Sequence, residues 1–195
     1  LKVVLGLGNP GPRYAGTRHN AGQTVVEALA RRWGIALDEA RDAARGGAGD
    51  VAGRHVYLAV SRVFMNESGQ AARALWNRMG RQVGNLVVVH DDIDLPLGTV
   101  RLKDAGGDGG HRGLKSLVQT LGDPGFLRVR VGVGRPGEKD EVVGHVLSRF
   151  APGEKAAAEE TIEWGADAVE ALLAEGLTAA QGRVHARSKG DAEAP

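Results

Sequence analysis

Four consecutive apolar residues, Leu86-Val87-Val88-Val89, run directly into His90-Asp91-Asp92 and Asp94, and this junction constrains the fold more than any other stretch of the chain. A continuous apolar run of that length predicts a strand buried on both faces, as in parallel sheets covered by helices. The charged residues then lie at its C-terminal end, where open α/β sheets gather their ligands. Lys2-Val3-Val4-Leu5 predicts a second buried strand of the same kind.

Between these strands the periodicity alternates. Val25, Val26, Leu29, Ala30 and Trp33 form a helical stripe, opened by Asn20-Ala21-Gly22-Gln23, which has the form of a capping box with Asn20 as the N-cap. His55 to Val60 reads as a strand. A second helix follows, with Ala71, Ala72, Leu75, Trp76 and Met79 on its stripe and Gly80 as its stop. Gly98 to Lys103 alternates as a less buried strand. Leu114, Leu117, Val118 and Leu121 predict a helix stopped by Gly122-Asp123-Pro124. Arg128 to Val133 alternates, so that one face packs and the other turns two arginines to water or to a ligand. Pro152 to Glu175 is a long amphipathic helix, with another turn or two between Leu177 and His185.

Strands alternating with helices predict a single-domain α/β fold with a mixed, mostly parallel twisted sheet and helices on both faces. Residues 1–187 make up that domain and 188–195 read as a disordered tail. Residues 38–54 carry the weakest pattern.

At 195 residues the chain suits one well-buried domain. It has no cysteine, which excludes disulfide scaffolds, thiolate metal sites and a thiol nucleophile. No run resembles a membrane span or a signal peptide, so the expected location is cytoplasmic, away from membranes. The net charge of +1 does not mark a globally basic nucleic-acid binder. Its distribution is uneven, however. Between Arg101 and Arg135 seven Lys or Arg stand against three Asp, while from Ala151 to Pro195 there are four against nine Asp or Glu, which predicts one face for polyanions.

The stretch from Gly6 to Gly22 contains a literal G-x-G-x-x-G at Gly6, Gly8 and Gly11. Pro10 and Pro12 fall where a dinucleotide-binding helix would open, and helical periodicity waits until residue 20, so that fingerprint is rejected. What remains is Asn9 just past a strand end and His19 just before a helix, where the positive end of the helix dipole favours a neutral imidazole. The second glycine-rich stretch, residues 104–113, opens a helix beside Lys103, Arg112 and Lys115 and suits a phosphate. It lacks the G-K-[ST] ending of a nucleotide-hydrolysing loop. Asn66 near the second helix has two readings, a cap or an amide aimed into a cleft.

Asn9, His19 and the cluster from His90 to Asp94 would converge above the strand ends. Two mechanisms fit them. In one, His19 takes a proton from water while Asp91 accepts the other ring N–H, with asparagine amides steadying an oxyanion. In the other, His90, Asp91, Asp92 and Asp94 with His111 hold a metal that activates water. His90 next to Asp91 on a strand points to the opposite face, which disfavours the second. His55, His145 and His185 read as structural. No G-x-S-x-G is present, which argues against a serine nucleophile.

The segments Gly6-Leu-Gly-Asn-Pro-Gly11, Tyr14, Thr17-Arg-His-Asn20 with Gly22, Phe64-Met-Asn66 with Ser68-Gly69, Asp91 with Asp94-Leu-Pro96 and Gly98, and Gly109-Gly-His111 with Gly113-Leu114 resemble bacterial peptidyl-tRNA hydrolase, in order and as far as about His185. The resemblance implies cleavage of the ester between a peptide and the 3′-terminal ribose of tRNA, which recycles tRNA from stalled translation. It implies catalytic roles for His19 as general base, Asp91 as its support and Asn9 as the discriminator of N-blocked from free aminoacyl-tRNA. It gives Asn66 as a second amide, Tyr14 and Phe64 as holders of the substrate's 3′ end, and Lys103 and Arg130 as contacts to tRNA phosphates. The expected partner is peptidyl-tRNA, met at its acceptor end and phosphate backbone. The family works without a cofactor or metal and as a monomer.

One position departs from the pattern. Where the family usually reads Gly-His-Asn-Gly, this chain reads Gly110-His111-Arg112-Gly113. Arginine cannot accept a hydrogen bond, so a phosphate contact is the expectation at 112. A non-catalytic RNA-binding module and a dinucleotide-dependent oxidoreductase are the competing classes; neither needs the His19 and Asp91 pair.

Overall fold

The computed structural model describes residues 1–190, with side chains as far as residue 187. Its sheet has seven strands: β1 (Lys2–Gly6), β2 (Glu39–Arg41), β3 (Ala44–Val51), β4 (Arg54–Ser61), β5 (Leu86–Asp92), β6 (Val100–Asp104) and β7 (Leu127–Gly132). Their spatial order is β2-β3-β4-β1-β5-β7-β6. The four middle strands run parallel, and β2, β3 and β6 join antiparallel at the edges. The fold is thus the mixed, mostly parallel α/β sheet that the apolar runs predict.

Helices α1 (Ala21–Trp33), α5 (Lys155–Glu175) and α6 (Leu177–Gly190) cover one face; α2 (Ser68–Ala74) and α3 (Arg112–Leu121) cover the other, and the short α4 (Val142–Val146) lies beside the sheet's C-terminal end. The pleat deals alternate residues of β1 and β5 to two cores. Val4, Val87 and Val89 join Val25, Leu29 and Val169, while Val3, Leu5, Leu86 and Val88 join Leu75, Leu114 and Leu117. Each such side chain, fully buried, stabilises the fold by roughly 1.5–3 kcal/mol over an exposed one.

Three elements differ from the sequence reading. Residues 38–54 form β2 and the whole of β3, hidden from pattern reading because β3 is rich in glycine. At Gly47 an added Cβ would lie 1.9 Å from the carbonyl oxygen of Ala36, so the strand needs the missing side chain for close approach. Helix α2 ends at Ala74, well short of the stop expected at Gly80, because Leu75 and Trp76 tighten to i→i−3 hydrogen bonds with Ala72 and Arg73. Leu75 and Met79 remain fully buried, so the apolar stripe is used by turns rather than by helix.

Helix α6 runs to Gly190, past the expected boundary at 187; residues 191–195 of the expected tail lie outside the described residues. Its side chains close the outer edge of β6. The N–H of Leu102 donates to His185 Nε2 at 3.0 Å, and Gln181 Nε2 donates to the carbonyl of Leu102 at 3.1 Å. Two backbone groups of an edge strand are thereby satisfied, which gives His185 the structural role expected of it. No helix among the described residues is long and apolar enough to cross a membrane.

Candidate active site

The loop after β1 is built on Asn20. Its Oδ1 accepts from the backbone N–H of Asn9 at 2.8 Å, and its Nδ2 donates to the carbonyl of Asn9 at 3.0 Å. The predicted capping box is therefore not formed, since Asn20 makes no side-chain cap bond and Gln23 Nε2 turns to Glu27. The reason is the burial of Asn9, 6% exposed, whose backbone donor and acceptor both need partners. An amide offers one of each. Asn9 Oδ1 accepts from Met65 N–H at 2.7 Å, which fixes the amide and leaves its Nδ2 donors for the cleft.

His19 lies in the 3-10 turn Arg18–Asn20, directly before α1. Arg18 clamps that turn: its guanidinium reaches Ser148 Oγ, the carbonyl of Arg149 and the carboxylate of Glu154, at 2.6, 2.8 and 2.5 Å. Gly22 lets α1 approach β5, because an added Cβ there would lie 2.1 Å from the carbonyl oxygen of Val89. His19 Nδ1 consequently meets both oxygens of Asp91, at 3.0 and 2.9 Å. With Nδ1–H donating to the carboxylate, Nε2 carries the lone pair, and it has no partner among the described residues.

Asp91 has a second imidazole. His111 Nε2 donates to its Oδ1 at 2.8 Å, while His111 Nδ1 accepts from the N–H groups of Gly113 and Leu114 at 3.1 and 3.3 Å. The histidine thus caps α3 with one nitrogen and holds the carboxylate with the other. Asp91 is bracketed by the starts of two helices, α1 on one face of the sheet and α3 on the other. Burial works against its ionisation, yet His111 and His19 together hold its carboxyl well below the usual carboxylate range. Sequence reading missed the His111 contact; its signal was a histidine at an N-cap position, a site usually taken by Ser, Thr, Asp or Asn.

His90 is buried behind this group. Its Nδ1–H donates to the carbonyl of Asp91 at 2.7 Å, its Nε2 has no partner among the described residues, and its ring stands edge-on to His111 at 5.1 Å. Burial, and then the neighbouring His111, push its pKa down to about 3, so it stays neutral. The alternative metal set is not assembled: Asp92 goes to Arg130, Asp94 pairs with Arg135, and His90 turns to backbone. His19, Asp91 and His111 do offer ligand atoms within 4.8 Å of one another. Their mutual hydrogen bonds already use the nitrogens and oxygens that a cation would take.

These residues open on a cleft of about 810 Å³. Tyr14 and Phe64 form one wall, edge to face with ring centroids 6.2 Å apart, and Phe64 is 50% exposed. Asn66 stands exposed beside them and makes no cap, so of its two readings the cleft is where it lies. A further part of the lining is apolar, from Val142, Val143, Val146 and Leu147 on and just after α4, a segment for which sequence reading assigned no role. Lys103, Arg112 and Arg130 also line the cleft.

The expectation of two outward arginines on β7 needs correction. Arg130 is partly exposed, but Arg128 is only 2% exposed, and its Nη1 and Nη2 donate to the carbonyls of Gly107 and Gly106 at 2.7 and 2.5 Å. Its fixed fork ties down the glycine-rich loop, whose backbone carbonyls lack a regular partner.

The family model described as Peptidyl-tRNA hydrolase matches residues 3–192. Among curated proteins, peptidyl-tRNA hydrolase of Synechococcus sp. (strain JA-2-3B'a(2-13)) is 46% identical over 184 residues, covering 94% of this chain and 82% of the relative. That of Mycobacterium tuberculosis (strain ATCC 25177 / H37Ra) is 45% identical over 185 residues, covering 94% and 97%. Among solved structures, peptidyl-tRNA hydrolase from Acinetobacter baumannii superposes with a TM-score of 0.87 at 36% identity, covering 95% of each chain. On this fold, this match along nearly its whole length and these relatives, the chain belongs to the peptidyl-tRNA hydrolase family.

Proposed function

We propose that this enzyme hydrolyses the ester between the C-terminal carboxyl of a peptide and the 3′-terminal ribose of tRNA, with His19 as general base. The observation that carries this reading is His19 held at Nδ1 by Asp91, with Nε2 open to the cleft beside the Asn9 amide. His19 Nε2 takes a proton from water as the oxygen attacks the ester carbon, and Asp91 stabilises the imidazolium that forms. The same proton passes to the ribose oxygen as the bond breaks. Donors at Asn9 Nδ2 face the acyl part of the substrate. An N-blocked residue brings a further carbonyl oxygen to these donors that a free aminoacyl group lacks, which supports the role of Asn9 as discriminator.

Tyr14 and Phe64 suit the bases of the 3′ end, Asn66 the acyl segment, and Lys103, Arg112 and Arg130 the phosphates. No cofactor enters this mechanism, and a cytoplasmic monomer acting on peptidyl-tRNA is the setting we infer. The test is release of N-acetyl-aminoacyl from tRNA compared with free aminoacyl-tRNA. Cleavage of the blocked ester alone, abolished in His19→Ala, is expected. Retention of activity in His19→Ala would overturn the mechanism.

A further inference from the structure

Asp92, the last residue of β5, is spent twice. One carboxylate oxygen accepts from the backbone N–H of Asp94 at 2.8 Å, closing the turn that leaves the strand. The other accepts from Arg130 Nε at 2.7 Å. Arg130 stands opposite His90 in the β5–β7 register, so Asp92, two residues on, projects from the same face and reaches it diagonally. The same face carries Arg128 on β7 and Arg101 opposite Arg130 on β6. Like charges crowd Arg130 from two sides, and Asp92 sets a carboxylate directly against it.

We propose that Asp92 is a positioning residue for phosphate recognition: by holding Nε against a carboxylate fixed in its own turn, it presents the two Nη groups of Arg130 to the cleft. Nε engaged edge-on leaves the guanidinium with four N–H donors, which match a phosphate in the bidentate manner. Ordering the side chain before binding removes part of the entropy cost of capturing it. The proposal rests on reading Arg130 as a phosphate contact. It adds that adjacent residues of one strand end serve both halves of the site, Asp91 toward the chemistry and Asp92 toward the nucleic acid.

The counter-charge makes the test sharp, because a carboxylate beside a phosphate site would by charge alone repel the ligand. Positioning predicts that Asp92→Asn raises KM for whole peptidyl-tRNA by roughly three- to tenfold, with a smaller change in kcat, and flattens the salt dependence of KM. Simple repulsion predicts that KM falls. A lowered or unchanged KM overturns the proposal. Asp92→Glu keeps the charge one methylene away and should fall between the two, giving a reading even if the asparagine variant unfolds; a KM below that of the parent would equally overturn it. In a cycle with Arg130→Ala, Asp92→Asn should add nothing further, because its effect passes through that side chain. Should Arg130→Ala leave KM and its salt dependence untouched, the reading of Arg130 itself fails, whereas an effect of Arg130→Ala without one from Asp92→Asn sinks only the positioning role.

Discussion

Asn20 grips both backbone polar groups of Asn9, donor and acceptor alike, from eleven positions further along the chain. Removing that amide in Asn20→Ala leaves a buried N–H and C=O without partners. Stability should fall by about 2–3 kcal/mol, read from urea unfolding. Because the Asn9 side chain is aimed from this backbone, the ratio of rates on N-acetylated and free aminoacyl-tRNA should fall as well. An unchanged ratio in a folded variant would separate Asn9 from discrimination.

Asp91→Asn keeps the shape of the pair but removes the charge proposed to support imidazolium. A fall in kcat of roughly 10²- to 10⁴-fold, with KM changed far less, is expected from steady-state kinetics on peptidyl-tRNA. His111→Ala should cost less in kcat, about tenfold, and should also lose the cap on α3, worth about 1 kcal/mol of stability. Since both act through one carboxylate, the double variant should be no slower than Asp91→Asn alone. Additive losses would mean that His111 acts by another route.

His90 gives a signature in acid. Its pKa is held down to about 3 in the folded protein, chiefly by burial, and rises to an ordinary histidine value on unfolding. The unfolded chain therefore binds the extra proton, and stability is present at neutral pH and lost as pH falls from about 6.5 toward 3, with a slope approaching 1.4 kcal/mol per pH unit for this one group. The groups facing it are His111, Asp91 and Asp92. Asp91, whose pKa is lowered, loses its contribution only at still lower pH. Urea titrations at pH 7 and pH 5 on the parent and on His90→Asn check this, and equal slopes in the two proteins would refute it.

Arg112 lies exposed on the cleft at the first position of α3, and it forms no ion pair among the described residues. If it meets a phosphate, Arg112→Asn should raise KM for peptidyl-tRNA and reduce its logarithmic salt slope by about one. A slope identical to that of the parent would exclude the contact.

Under the mechanism proposed above the His19 imidazole activates the water, so chelation should not touch that step. Dialysis against EDTA is expected to leave kcat unaltered. Loss of activity that zinc restores would hand the chemistry to a metal at the same three residues.

The residues that face these tests differ in how plainly the sequence announced them. Continuous apolar runs made β1 and β5 legible, because burial on both faces writes itself as an unbroken hydrophobic string. With the strand ends placed, Asn9, His19 and Asp91 followed. Asn20 holds the N-cap position but not the cap bond, for a physical reason: an asparagine before a helix can bond locally or reach back across a loop, and the deciding fact, burial of Asn9, is tertiary. Arg128 misled in the same way, since alternation tells which face a side chain takes but not whether a loop folds over it. The apolar wall at Val142 to Leu147 comes from a short segment without enough length for periodicity to speak.

The contact at Gly22 has a consequence for how this site tolerates change. At Gly22 the approach of α1 to β5, and with it the reach from His19 to Asp91, is limited by main chain against main chain. Core residues can be exchanged for others of similar volume, as packing allows, without resetting that reach. The calibration resides in an atom that is absent, and even the addition of one methyl group at position 22 would lengthen it.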